Sequence, residues 1–265
     1  MVFVKCGNGD KMKTTQVAVQ MYTLREESQK DFAGTLRKVA ELGFDGVEFA
    51  GYEGWNVNEL KELLDELGLQ AAASHVPLEE LESNLGQVIE NQKILGSGYI
   101  VCPYLMPEQR TEEDYQKLIR FLDEAGEICR GEGLTLCYHH HDFELECMND
   151  GRQALQAIYE DTKEENVKAE LDIYWLAKAG EKPAEWMERC TNRTPLVHLK
   201  DMTKDKEQFF AELGTGGVDI DSVLEKGKEA GVHWWIIEQD MSRLTPYESI
   251  EISINYLRKL LLKKG

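Results

Sequence analysis

Short apolar runs alternate with longer amphipathic stretches eight times along the chain, and this alternation constrains the fold more than any other feature. A strand buried on both faces reads as a short apolar run, and a longer stretch with one apolar face reads as a helix. Their regular succession therefore describes a parallel sheet wound by βα units. Strands are expected near 17–21, 46–50, 70–74, 98–102, 134–138, 167–172, 195–199 and 233–239, and helices near 28–42, 56–67, 83–96, 111–131, 150–160, 183–190, 218–230 and 246–262. Several helical stretches end in glycine, as at Leu42-Gly43, Leu67-Gly68, Gly131-Glu132-Gly133 and Ala230-Gly231. There the left-handed conformation closes the helix and leads into the next strand. Eight evenly spaced units favour closure into a (β/α)8 barrel over an open doubly wound sheet.

A chain of 265 residues with 42% hydrophobic content can fill one such barrel. No Pro/Gly/Ser-rich linker interrupts the series, so residues 12–265 read as a single domain. Residues 1–11 read as an N-terminal extension, either a short capping strand or a remnant of cloning, with Met12 as the effective start of the fold. The formal net charge of −19 would repel a phosphate backbone, which excludes a nucleic-acid partner. No apolar run reaches a membrane span and no signal core is evident, so the chain is expected to be soluble and cytoplasmic, with no membrane partner. The six cysteines are scattered without a CxxC pair and read as reduced and structural. A homo-oligomer is compatible with the sequence.

In parallel α/β folds, functional side chains gather at the C-terminal ends of the strands. Those ends are polar here. They carry Glu48, His75, the run His139-His140-His141-Asp142-Phe143-Glu144, Glu170 and Asp172, His198 and Lys200, and Glu238 and Asp240. Side chains alternate across a strand, so the pairs 170/172, 198/200 and 238/240 each share a face. Acids and imidazoles from neighbouring strands can then converge on one divalent ion, Mn, Mg, Co or Zn. Taken singly, each acid also reads as a solvated loop residue and each histidine as a satisfied core residue.

In this order the segments Gln20-Met-Tyr-Thr-Leu-Arg25, Gly43-Phe-Asp-Gly-Val-Glu48, Ser74-His75, Tyr138-His-His-His-Asp-Phe-Glu144, Asp172-Ile-Tyr-Trp175, His198-Leu-Lys-Asp201 and Gly214-Thr-Gly-Gly-Val-Asp219 resemble the sugar phosphate isomerase/epimerase family. That family has a xylose-isomerase-like TIM barrel and includes tagatose epimerases and inosose dehydratases. The resemblance implies a metal held by Glu, Asp, His and Glu from strands 5 to 8, the last three being Asp172, His198 and Glu238. The first position departs from the family pattern, which reads Glu-Asn-His where this chain has three histidines. Glu144 is taken as the missing carboxylate, with His139 as the alternative ligand.

The resemblance also implies a metal-dependent isomerase or epimerase that abstracts a proton beside a metal-polarised carbonyl of a keto-sugar. Glu238, His139 and Lys200 are the expected catalytic residues. Lys200 has a second reading, as a salt bridge to Glu238 or Asp172. Glu48, His75, His141 and Trp175 are expected to contact substrate, with Glu48 and His75 alternatively orienting the metal ligands from behind, and Tyr104 joins Trp175 as an apolar wall. Two alternatives stand beside this reading. One is a lyase or dehydratase on a keto-sugar, 3-keto-glycoside or keto-inositol, because the lost glutamate weakens a two-base epimerase. The other is a non-catalytic sugar-binding barrel. The Gly214-Thr-Gly-Gly loop lacks the following Lys-Ser/Thr of a phosphate-binding P-loop and reads as part of the barrel mouth.

Overall fold

A computed structural model of the chain describes residues 16–264, and the extension 1–11 with Cys6 falls outside them. Eight parallel strands close into a barrel: β1 (Gln16–Gln20), β2 (Gly46–Phe49), β3 (Gln70–His75), β4 (Tyr99–Cys102), β5 (Thr135–His139), β6 (Val167–Asp172), β7 (Leu196–Leu199) and, after a short antiparallel hairpin of β8 (Asp201–Met202) and β9 (Phe210–Ala211), the eighth barrel strand β10 (Trp234–Ile237). β10 pairs with both β7 and β1 and so closes the ring.

Strand alternation divides the core in two. Val17, Val19, Leu136, Tyr138, Val197, Leu199, Trp235 and Ile237 pack outward with the helices. Ala18, Ala73, Val101, Cys137, Leu196, Trp234 and Ile236 form a smaller separate cluster on the opposite strand faces, which fills the barrel interior. Followed toward the C-terminal ends, these inner columns change character: Ile236 gives way to Glu238, Leu196 to His198 and Lys200, Cys137 to His139, and Ala73 to His75. The interior is thus apolar below and ionisable above. At the lower end Gly46 makes room for Trp234, since a Cβ there would lie 2.5 Å from the Gln70 carbonyl oxygen and 3.0 Å from the indole.

The expected strands match within one or two residues, and the helices differ where local capping intervenes. The first helical stretch breaks at Asp31, whose carboxylate accepts the Gly34 N–H and starts Phe32–Glu41 afresh. A helix over Ile173–Lys178 and the β8–β9 hairpin were not expected. Asp172 Oδ1 accepts the Tyr174 and Trp175 N–H groups and so caps that helix directly off the strand. Cys102, Cys129, Cys137, Cys147 and Cys190 are free, and all but Cys147 are buried. No helix among the described residues is long and apolar enough to cross a membrane.

Candidate metal centre

The polar ends of the inner columns meet in two overlapping groups. His139, Asp172, His198 and Glu238 form one, and His75, His139, Glu170 and His198 the other; within each, one ligand atom per residue lies within 4.8 Å of the others. Each shared histidine turns one nitrogen to each group. His198 Nδ1 sits 2.8 Å from Glu238 Oε2 and 3.9 Å from Asp172 Oδ2, while its Nε2 sits 2.6 Å from Glu48 and 3.3 Å from Glu170. His139 Nε2 lies 4.0 Å from Asp172 Oδ2 and its Nδ1 3.1 Å from Glu170 Oε2.

Glu170 is therefore a hub. One of its oxygens also accepts from His75 Nε2 at 2.8 Å. Glu48 lies beside it and accepts from Gln20 Nε2 at 2.7 Å. A buried carboxylate behind a ligating imidazole fixes the ring and leaves the opposite nitrogen facing a metal.

The charges follow from this crowding. Burial and the nearby Glu170 push the Glu48 carboxyl up to about 7. Burial works against charge at Glu170 and Glu238 as well, but His198 and His75 hold the first, and Lys200 and His198 the second, well below the usual carboxylate range. Burial, helped by His198, lowers His139 to about 4, so it stays a neutral imidazole with a lone pair to offer. Lys200 resists its burial because Asp172, Asp240 and Glu238 raise it. Its ammonium lies 2.6 Å from Glu238 and 3.1 Å from both Asp172 and Asp240. Both salt-bridge partners anticipated for Lys200 are thus present, together with Asp240.

These residues fit a divalent ion. Two carboxylates and two imidazoles converge in a buried place, and Asp172 Oδ2 has no aligned hydrogen-bond partner there. The donor set can chelate such an ion, and two imidazoles bias it toward borderline metals.

Glu144 belongs to neither group. It follows β5 on a 3-10 turn, Phe143–Leu145, and faces away from the cluster. Its Oε1 accepts from Tyr138 Oη at 2.7 Å and its Oε2 from the His141 N–H at 2.8 Å, so both oxygens already serve to shape the β5 end. The geometry puts His139 where Glu144 was expected. His140, not singled out in the sequence, accepts the Asp172 N–H on Nε2 and points Nδ1 to the His141 carbonyl, tying β5 to β6.

Above the cluster opens a cavity of about 940 Å³. His139, Lys200 and Glu238 reach it, as do His75, His141, Trp175 and Tyr104. Glu48 does not; it is fully buried behind His75 and His198, so among the expected pocket residues it takes the orienting place. Glu170, Gln20 and Asp240 were not assigned site roles from sequence, although the period-two spacing of Glu170 to Asp172 and of Glu238 to Asp240 carried the signal. The Gly214-Thr-Gly-Gly loop is folded around Asp201, whose Oδ1 accepts from Met202 and Val218 N–H and whose Oδ2 accepts from Gly214 and Gly216 N–H, all between 2.8 and 3.0 Å.

Residues 36–260 match the model of the xylose isomerase-like TIM barrel family. Inosose dehydratase of Clostridium beijerinckii (strain ATCC 51743 / NCIMB 8052) is 24% identical over 87% of this chain and 90% of its own. A sugar phosphate isomerase/epimerase structure from Parabacteroides distasonis ATCC 8503 superposes with a TM-score of 0.80 at 22% identity, covering 92% of this chain and 98% of that one. A structure of the IOLI protein with a bound zinc atom superposes with a TM-score of 0.74 at 18% identity, covering 94% and 98%.

Proposed function

The chain belongs to the xylose isomerase-like TIM barrel family, and from that premise we propose that it is a metal-dependent lyase of the dehydratase type, eliminating a leaving group β to the carbonyl of a keto-sugar. The observation that carries this reading is the asymmetry of the centre. Glu238 and Lys200 reach the cavity as an adjacent carboxylate and ammonium, 2.6 Å apart, while the strand-5 position opposite holds the neutral imidazole of His139. Inverting a carbon needs bases on both of its sides, whereas elimination needs one base and one acid. The name carried by the inosose dehydratases supports the same choice, so the isomerase or epimerase expectation gives way to its dehydratase alternative.

In this reading His139, Asp172, His198 and Glu238 hold the ion, and Glu144 does not. A divalent ion there would polarise the substrate carbonyl and stabilise the charge that develops when the adjacent C–H is ionised. Glu238 takes the proton from the carbon beside the carbonyl. The C–H electron pair becomes the new C=C bond, the bond to the β-oxygen breaks, and that oxygen leaves with its pair. Lys200 meets the departing oxygen as a cation and gives it a proton, so the products are an enone and a neutral alcohol or water. His75 and His141 offer hydrogen bonds to sugar hydroxyls, and Trp175 offers an apolar face to the ring.

The test is to incubate metal-loaded protein with a keto-inositol and with a 3-keto-glycoside and to follow enone absorbance together with epimer formation. Enone accumulation is expected. Epimer without enone would return the protein to the epimerases, and stoichiometric metal without either product would favour a silent sugar-binding barrel.

A further inference from the structure

We infer that the keto-sugar taken by this site carries a neutral, apolar, ring-sized aglycone and no phosphate group. The chemistry of this inference rests on the elimination reading above; the size and polarity of the pocket stand without it.

The first argument is volume. A hexose has a dozen heavy atoms, and at the ~30 Å³ that one water-sized group occupies in a liquid it fills at most ~360 Å³. The cavity is about 940 Å³, so more than half remains after the sugar is seated on the metal centre. Sites of this size hold ligands well beyond a monosaccharide.

The second argument is what lines the remainder. His75, His139, Lys200 and Glu238 come to the cavity from the metal cluster, and Tyr22, Tyr52, Tyr104, Phe210 and Met241 line it as well. Tyr22, Tyr104 and Met241 are 46%, 40% and 53% exposed. Two of these side chains are braced. The Arg110 guanidinium donates to Tyr104 Oη at 2.6 Å, and the Arg25 guanidinium lies 4.4 Å from the Tyr22 ring centroid. Rigid aromatic rings open to a cavity bind a flat apolar group with little loss of conformational freedom. The carbon face of one sugar needs a single such wall.

The third argument excludes phosphate. Arg25 and Lys200 are the arginine and lysine on the cavity wall among the described residues, and His75, which also lines it, is already paired with Glu170 and Glu48. Arg25 already donates to the Tyr22 and Asp240 carbonyls, and Lys200 to three carboxylates. Glu80, Glu238 and Asp240 share the same wall. The backbone donors of the glycine loop, which elsewhere in proteins cradle phosphates, are filled by the chain's own Asp201 carboxylate. A phosphate dianion would find no clamp and several like charges.

These observations join the elimination chemistry at one bond. In a 3-keto-glycoside the carbonyl is at C3, the acidic hydrogen at C2 and the glycosidic oxygen at C1, which is the β position. Loss of the C2 proton to Glu238 forms C1=C2, breaks the C1–O bond and sends its electron pair to the aglycone oxygen, which takes one proton from Lys200. The aglycone would thus leave from the aromatic part of the cavity.

Titration calorimetry of the metal-loaded protein with three unreactive probes separates this from the function itself. Phenyl β-glucoside is expected to bind at least tenfold tighter than methyl β-glucoside, and glucose 6-phosphate more weakly than both. Tyr22→Ala and Met241→Ala should reduce the phenyl preference several-fold and leave the methyl glucoside unchanged. Equal affinities for the two glucosides, tightest binding of the phosphate, or no measurable binding of any probe would overturn the inference. Because the two glucosides are locked at C1 and carry no carbonyl, a failed elimination assay with an intact phenyl preference would sink the lyase reading alone.

Discussion

Replacing Glu144 by glutamine isolates a single buried carboxyl whose ionisation the fold opposes. Glu144 is fully buried, and burial pushes it up to about 7 from an ordinary 4.5, even though the Tyr138 hydroxyl and the His141 N–H favour the anion. Between those two values the folded protein holds a proton that the unfolded chain has released. Stability must therefore fall as pH rises through this window, being greatest below 4.5 and fully reduced above 7. Raising that carboxyl from 4.5 to about 7 corresponds to roughly 3 kcal/mol, at about 1.36 kcal/mol for each tenfold change in proton affinity. Glutamine keeps the shape, can accept from the His141 N–H and can donate to Tyr138 Oη, but cannot ionise. Urea unfolding of both proteins at half-unit intervals from pH 4.5 to 8, with metal removed from each, yields a difference curve in which all other titrations cancel. Relative to the wild type, Glu144→Gln should gain about 3 kcal/mol across the window, with the slope between pH 5 and 7. A flat difference would refute the argument. Metal analysis of the same variant adds an independent check: full occupancy is expected, and its loss would restore Glu144 as a ligand.

His139→Asn and Asp172→Ala should each abolish stoichiometric metal binding while circular dichroism stays that of the intact barrel; full occupancy in either removes that residue from the shell. Glu170→Gln should weaken metal binding about 10- to 100-fold in a chelator competition, as loss of a carboxylate behind ligating histidines does, and an unchanged affinity would make Glu170 a bystander. Asp201→Asn places an amide N–H₂ against backbone donors that now meet a carboxylate, at a cost of roughly 2–4 kcal/mol of unfolding free energy in urea; a loss under 0.5 kcal/mol would show that the loop does not depend on this anion.

The barrel was legible because its strands obey simple rules. Runs such as Trp-Trp-Ile-Ile are buried on both faces and read as apolar blocks, and their spacing is kept by helices that end in glycine. The same period of two that builds the sheet placed Asp172, His198, Lys200 and Glu238 on inner faces, and that is why their convergence could be read from the sequence. What the period cannot describe is a chain that has left its strand. Glu144 lies past β5 on a 3-10 turn, where the backbone changes direction, and a carboxylate five residues after His139 points elsewhere. The helix over Ile173–Lys178 was hidden for a related reason, because its cap is Asp172, which read only as a metal ligand while its Oδ1 starts the helix.

The place of His139 follows from charge conservation once Glu170 is considered. A glutamate at the end of strand 5, as the resemblance implies for the epimerases, would bring a negative charge to the ion; His139 brings none. Directly behind it, 3.1 Å from Nδ1, stands the ionised carboxylate of Glu170, two residues before Asp172 on the neighbouring strand. The negative charge is retained one layer deeper, where it also reaches His75 and His198. A carboxylate moved back in this way still balances a divalent ion electrostatically, but it no longer faces the substrate and cannot act as a second base on it. The histidine at 139 and the glutamate at 170 thus stand as a pair, and under the elimination proposed above that pairing is what leaves the centre with one base.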